Sequence, residues 1–207
     1  MMKMSKLQSR NSQSLRRLVY LFALAMVATV GSVVLASPVM AEVVYTPVNV
    51  SISGNGLLKI DLNHDGIADV SIVSSGKSIL CAGTGPGSFG LVYGLPAQGN
   101  GMVANGNYVL ALNSGVRISS SSSFYSAEGL MMQYSSCIWP PHSNYGAWLE
   151  VSNRYLGLKF QINGHTHYGW PRLSMTVGRF GPISTLTGYA YETVAGQGIT
   201  AGQTSGP

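Results

Sequence analysis

The 207-residue chain carries 12 Lys and Arg against 7 Asp and Glu, but five of the basic residues precede position 18 and every acid follows position 41. Residues 42–207 are therefore balanced at seven of each sign. A basic nucleic-acid-binding surface, which needs clustered Lys and Arg on the folded domain, is excluded.

Residues 1–41 read as a signal peptide. Lys3, Lys6, Arg10, Arg16 and Arg17 precede the apolar run LVYLFALAMVATVGSVVLA, and SPVMA follows, placing Val39 and Ala41 three and one residues before a cut at Glu42. The run approaches the roughly 18–20 residues of a spanning helix, so a retained membrane anchor is the competing reading. The small-residue exit favours cleavage, which implies a secreted, periplasmic or cell-surface protein with no membrane contact afterwards. What remains has the length of one domain with a real core, and 26 Gly in the chain imply many tight turns.

From Glu42 onward, short β-type runs alternate with Gly, Asn and Ser, and almost nothing repeats at helical period. EVVYTPVNVSI opens this part, and LLKIDL and ADVSIVS flank a polar loop. KSILCA, FGLVYGL, NYVLALN and GAWLEVS follow, with a short helix in SAEGLMMQY. YLGLKFQI, HTHYGWPRLSMTV and ISTLTGYAYET close the series. This spacing predicts an all-β fold, an antiparallel β-sandwich or barrel-like single domain over residues 42–198, with a flexible tail at 199–207.

The polar loop is DLNHDGIADV. Asp61, Asn63, Asp65 and Asp69 stand at positions 1, 3, 5 and 9, and Gly66 at position 6, where an oxygen-ligand loop turns sharply. Hard Ca²⁺ takes six to eight oxygens, and this spacing points alternate side chains and the Ile67 carbonyl at one centre. Ile72 stands where an EF-hand places its bidentate Glu, so the loop is not an EF-hand. It resembles instead the shorter D-x-[DN]-x-D-G-x-x-D calcium loops between strands of integrin-type propeller blades, which close on the ninth-position Asp. Three carboxylates imply a modest affinity, on the order of 0.1–1 mM. The competing reading is a hairpin turn whose Asx side chains bond their own backbone.

GTGPGSFG contains a formal G-x-G-x-x-G at Gly85, Gly87 and Gly90, but the extended LVYGLP that follows opens no helix, so a turn replaces the dinucleotide reading. The only cysteines, Cys81 and Cys137, are expected to form one disulfide in an oxidising compartment, stabilising the fold by roughly 3–4 kcal/mol. Two buried thiols are the alternative. The serine run from Ser119 to Ser123 reads as a surface loop, pinned with its neighbour by Cys137.

Asn163-Gly164 supplies a type I′ turn, setting Ile162 opposite His165, Gln161 opposite Thr166 and Phe160 opposite His167. Period two then places Leu158, Phe160, Ile162, His165, His167, Leu173, Met175 and Val177 on one inward face. Pro171 marks an edge strand or a bulge. His165 and His167, two apart on a strand, could bite one transition metal with His64, His142 or a carboxylate as third ligand; core histidines are the plainer reading. Tyr155, Tyr168, Trp170, Tyr189 and Tyr191 crowd the closing third and, with few charges nearby, suit a sugar ring or a protein partner, although such rings more often pack a core. No G-x-S-x-G occurs, and a hydrolytic carboxylate pair has only Glu128, Glu150, Glu192 and Glu42 to draw on once the loop takes its three acids.

NRYLGLKFQINGHTHYGWPRLSM together with LTGYAYETVAGQGITAG resembles a recurrent module of uncharacterised secreted bacterial β-rich proteins that often carry PEP-CTERM sorting tails. The matching positions are Tyr155 to Phe160, Thr166 to Trp170 with Arg172 and Leu173, and Gly188 to Thr193. The resemblance implies export and a β-rich fold, and carries no catalytic residue. The Pro-Glu-Pro motif, apolar span and basic end of the sorting tail are not matched, so surface sorting by that route is not expected. These readings predict a non-catalytic, calcium-stabilised surface or matrix module that binds carbohydrate or protein through Trp170, Tyr168, Tyr189, Tyr191, His165 and His167. An extracellular polysaccharide hydrolase and a subunit self-associating through an edge strand near Pro171 are the alternatives.

Overall fold

Val, Ile, Tyr and Thr at alternate positions dominate the segments between turns, and such residues suit a pleated, half-buried surface. A computed structural model describes residues 41–83, 85–137, 144–178 and 181–206, all in one unit beginning at Met40. The signal peptide falls on residues outside those described. No helix among the described residues is long and apolar enough to cross a membrane.

The strands are β1 (Val43–Ser53), β2 (Gly56–Ile60), β3 (Val70–Cys81), β4 (Gly85–Pro96), β5 (Gly101–Asn105), β6 (Tyr108–Val109) and β7 (Arg117–Ile118). They continue as β8 (Phe124–Tyr125), β9 (Gly129–Ser135), β10 (Val151–Tyr155), β11 (Leu158–Ile162), β12 (His165–Gly178), β13 (Gly181–Glu192) and β14 (Ile199–Thr200). One sheet runs β1-β13-β12-β11-β5-β6-β9-β4-β3-β2, with β10 beside β12 and β8 beside β5. Its pairings are antiparallel except β6 with β9. The all-β, mostly antiparallel class is as expected, and the sheet curls almost into a barrel.

Closure brings β13 against β3 and β4, and β1 beside β2. A Cβ at Gly90 would collide with the Pro182 ring, so glycine on β4 lets β13 approach. The interior is filled by Ile60, Ile72, Val92, Met102, Met132, Trp148, Leu158, Phe160, Leu173 and Met175.

The Asn163-Gly164 hairpin has the expected register, Ile162↔His165, Gln161↔Thr166 and Phe160↔His167, with φ of 50° and 78° at the two turn residues. Pro171, however, is not on an edge. β12 is flanked by β13 on one side and by β11 and then β10 on the other; Pro171 itself pairs with Tyr189, and the register shift falls beyond it, between Arg172 and Leu173, where the extra residue is Thr187 of β13. Edge-to-edge assembly at Pro171 is thereby removed.

Both faces of β12 are covered. Tyr168 and Trp170 belong to a second apolar cluster with Val103, Ile118, Ile199 and Ala201. The tail expected to fray therefore supplies a strand: Ile199 pairs with Ile118 and is fully buried. The short helix expected in 126–134 is also replaced, by β9, because its Met131 and Met132 are both needed in the core beside β4. Gly85 to Gly90 lie within β4 rather than in a turn. GAWLEVS becomes a strand only from Val151, with Trp148 held in a turn and inserted into the core.

Cys81 and Cys137 form the expected disulfide, with Cα atoms 5.3 Å apart. It ties the end of β3 to the end of β9, while the serine run lies separately between β7 and β8. Because Ile199 is core rather than tail, Ile199→Ala is expected to lower the unfolding free energy by about 2–4 kcal/mol in urea titration. A change within experimental error would return residues 199–207 to a frayed tail.

Candidate functional site

The loop 61–69 joins β2 to β3, and its ends are fixed by the Ile60↔Val70 pair and by Asp69 N–H donating to the Ile60 carbonyl at 2.8 Å. Within it, each acid turns back on the chain. Asp61 Oδ2 accepts from Gly66 N–H and Asp65 Oδ1 from Ile67 N–H, both at 2.8 Å. Asn63 Nδ2 donates to Asp65 Oδ2 at 2.9 Å, and Leu62 N–H donates to Asp69 Oδ2 at 2.8 Å. Gly66 has φ of 89°, the left-handed conformation that the sharp turn at the sixth position requires. Leu62 is fully buried and anchors the loop to the core, while Ile67 is 69% exposed.

These bonds do not use every oxygen. Asp61 Oδ1 and Asn63 Oδ1 are shielded from solvent and accept no hydrogen bond. Asp69 is buried at 5% exposure, and burial, opposed by the Leu62 amide and reinforced by the charges of Asp61 and Asp65, pushes its carboxyl up to about 6. Asp65 is held below the usual range by its bonds from Asn63 and the Ile67 amide. The loop therefore concentrates negative charge around oxygens that lack donors. Among the described residues no three His, Cys, Asp or Glu side chains gather as a metal-holding group, Asp61, Asp65 and Asp69 included.

Two neighbours complete the loop. Asn100, 4% exposed, donates from Nδ2 to the Asp69 carbonyl at 3.1 Å and to Asp69 Oδ1 at 3.4 Å, and its Oδ1 accepts from Gln161 N–H at 3.1 Å. His64, with φ of 60°, shares a hydrogen bond with Thr46 Oγ1 at 3.1 Å and lies against the Tyr189 ring at 5.7 Å. Neither role is visible in the sequence. Asn100 sits in AQGNG, which reads only as a turn, and no local pattern says that it returns to Asp69 from 31 residues away.

The remaining expected site residues are mostly structural. Trp170 is fully buried, edge-on to Tyr155 at 4.9 Å, and Tyr168 is 5% exposed and stacked on Phe124 at 6.0 Å. Tyr189 is 8% exposed, its hydroxyl raised above the ordinary value by burial despite a bond with Thr46, and Tyr191 is half-buried against Phe160. The expected aromatic edge is thus corrected to core, because β12 and β13 are covered on both faces. His167 is buried, with Nδ1 bonded to the Glu192 carbonyl at 2.9 Å, while His165 is exposed at the hairpin tip. The two histidines are not brought to a third ligand among the described residues. His142 lies outside the described residues.

Of the acids left for hydrolysis, Glu192 is buried and its Oε1 accepts from Val194 N–H at 3.0 Å, while Glu150 Oε1 accepts from Val177 N–H at 2.8 Å. Both serve local backbone. Comparison with protein-family models, with curated proteins and with solved structures yields no match to this chain.

Asn100→Ala would leave the Gln161 amide without its buried acceptor. A loss of about 1–3 kcal/mol in chemical denaturation is the expected outcome, and an unchanged midpoint would contradict the bridging role.

Proposed function

We propose that this chain is an exported, non-catalytic β domain whose 61–69 loop takes one Ca²⁺ as a structural staple. The observation that carries the reading is the pair of solvent-shielded, unpartnered oxygens, Asp61 Oδ1 and Asn63 Oδ1. A buried acceptor without a donor costs free energy, and an oxygen-seeking cation would remove that cost together with the mutual repulsion of Asp61, Asp65 and Asp69. What supports such an ion is that Asp61 and Asn63 have a free oxygen each and Asp65 retains lone pairs on an exposed carboxylate; Ile67 and Asp69, whose carboxylate already accepts from Leu62 and Asn100, would complete the set as the ion orders the loop. The ion would supply charge neutralisation and order rather than Lewis-acid catalysis.

Export is supported by the signal-like residues 1–41 and by the disulfide, since disulfides persist in oxidising compartments. The resemblance to the module of secreted bacterial β-rich proteins points the same way. A surface or matrix module of this kind binds carbohydrate or another protein. With Trp170, Tyr168 and Tyr189 committed to the core, the exposed large rings among the described residues are Tyr108 and Tyr145, and contact with a sugar or protein falls to them.

Calcium at ten to one hundred times its dissociation constant is expected to add about 1.4–2.7 kcal/mol through linkage. That raises Tm by roughly 3–10 °C in calorimetry relative to EDTA. Asp65→Ala should melt alike in both conditions, because the exposed side chain contributes to the ion and little to the apo fold. Identical melting of the unmutated protein with and without Ca²⁺ would refute the calcium reading.

A further inference from the structure

The ladder of the sheet is not continued between its two end strands, β1 and β2. Among the described strands β1 pairs only with β13 and β2 only with β3, and β1 and β2 approach each other beside the two-residue link that joins them. At one end this seam is closed covalently by Gly54-Asn55, reinforced by Gly54 N–H donating to the Pro182 carbonyl at 3.2 Å and Asn55 Oδ1 accepting from Gly76 N–H at 2.8 Å. Away from that link, His64 of the 61–69 loop shares a hydrogen bond with Thr46 of β1.

His64 is placed for this by the loop itself. Its φ of 60° is a conformation that non-glycine residues adopt at a cost, so something must hold it there. Its ring lies at 5.7 Å from that of Tyr189 on β13, and the Tyr189 hydroxyl in turn bonds Thr46 and feels the charge of Asp61. One side chain thus ties the loop that follows β2 to the paired strands β1 and β13, and it stands between two candidate ligands, Asn63 and Asp65.

We propose that His64 is a clasp on the β1–β2 seam, and that a cation held by the 61–69 loop keeps the clasp closed. The regulation by the ion rests on the calcium reading above; the clasp itself rests on the contacts of His64. Without the ion, repulsion among the carboxylates loosens the turn, His64 leaves Thr46 and Tyr189, and the free edges of β1 and β2 open to solvent. With the ion, the loop holds its left-handed turn and the seam stays shut.

Hydrogen exchange read by mass spectrometry on the full domain, with calorimetric titration of CaCl₂ in parallel, tests this. Breaking one hydrogen bond and one ring contact across a local opening should change exchange by about tenfold. In the unmutated protein, Ca²⁺ is expected to slow exchange over residues 43–50 by that factor. His64→Ala and Thr46→Val remove no ligand and should still bind Ca²⁺, with affinity weakened by at most about tenfold, the reciprocal of the coupling, but show protection confined to residues 61–70. Protection of residues 43–50 that persists in both variants, or that is missing in the unmutated protein while Ca²⁺ binds, overturns the clasp. If titration shows no Ca²⁺ binding, the calcium reading and the regulation by the ion fail together, and exchange without ion decides the clasp: faster exchange over 43–50 in His64→Ala supports it, equal rates overturn it.

Discussion

A link of two residues sets the shape of this domain. β1 and β2 are the two ends of a hydrogen-bonded path of ten strands, yet only Gly54-Asn55 lies between them. Laid flat, such a path would be roughly 43 Å wide at about 4.8 Å per strand. A two-residue link reaches about 10 Å. The sheet has to curl until its ends meet, and small residues along β13, β3 and β4 permit the approach: a Cβ on Gly181 would sit 3.4 Å from the Gly76 Cα. The barrel-like form follows from connectivity, and the apolar interior then fills the space that connectivity encloses.

Closure of this kind has a consequence for burial. The curl gives the sheet one inner face, but β12 also carries Tyr168 and Trp170 on its outer face, and these need cover. It comes from the irregular stretch around β7 and from β14 at the chain's end, which pair with each other and bring Ile118 and Ile199 over Trp170's cluster. Fully burying an aromatic or large aliphatic side chain contributes about 1.5–3 kcal/mol, so a handful of such residues is enough to order segments that have little regular structure of their own.

The parts legible in the sequence are those decided by neighbours along the chain. Asn163-Gly164 specifies its own turn and so fixes every pair from Ile162↔His165 to Phe160↔His167. Two cysteines have one pairing, and Asp-Gly with alternating oxygens marks where β2 turns into β3. What could not be read depends on distant partners. Two-sided burial of β12 erased the polar face that would have marked Trp170 as core, and the aromatic run therefore looked like a surface. GLMMQYS looked helical because a strand buried on both faces loses period two, and β5, only five residues of GMVAN, gave no signal at all although it joins the two halves of the sheet. Asn100 is the sharpest case, since its partners Asp69 and Gln161 are 31 and 61 residues away.

β3 shows how the two kinds of restraint divide their work. Its first residue follows Asp69 of the loop, its last is Cys81 of the disulfide, and between them Gly76 is held by Asn55. Twelve residues at about 3.4 Å each separate the two ends by roughly 40 Å, so neither restraint can substitute for the other. The disulfide is permanent in an oxidising compartment and secures the β3–β4 hairpin to β9 whatever the solution contains. The loop lies at the opposite end, next to the open seam, and the proposed ion there would be reversible at the modest affinity that three carboxylates support. A strand next to the sheet's edge is thus fixed covalently where it meets β9 and, with the proposed ion, would be held reversibly where the barrel closes, so that any response of this domain to calcium would be felt first at β1 and β2.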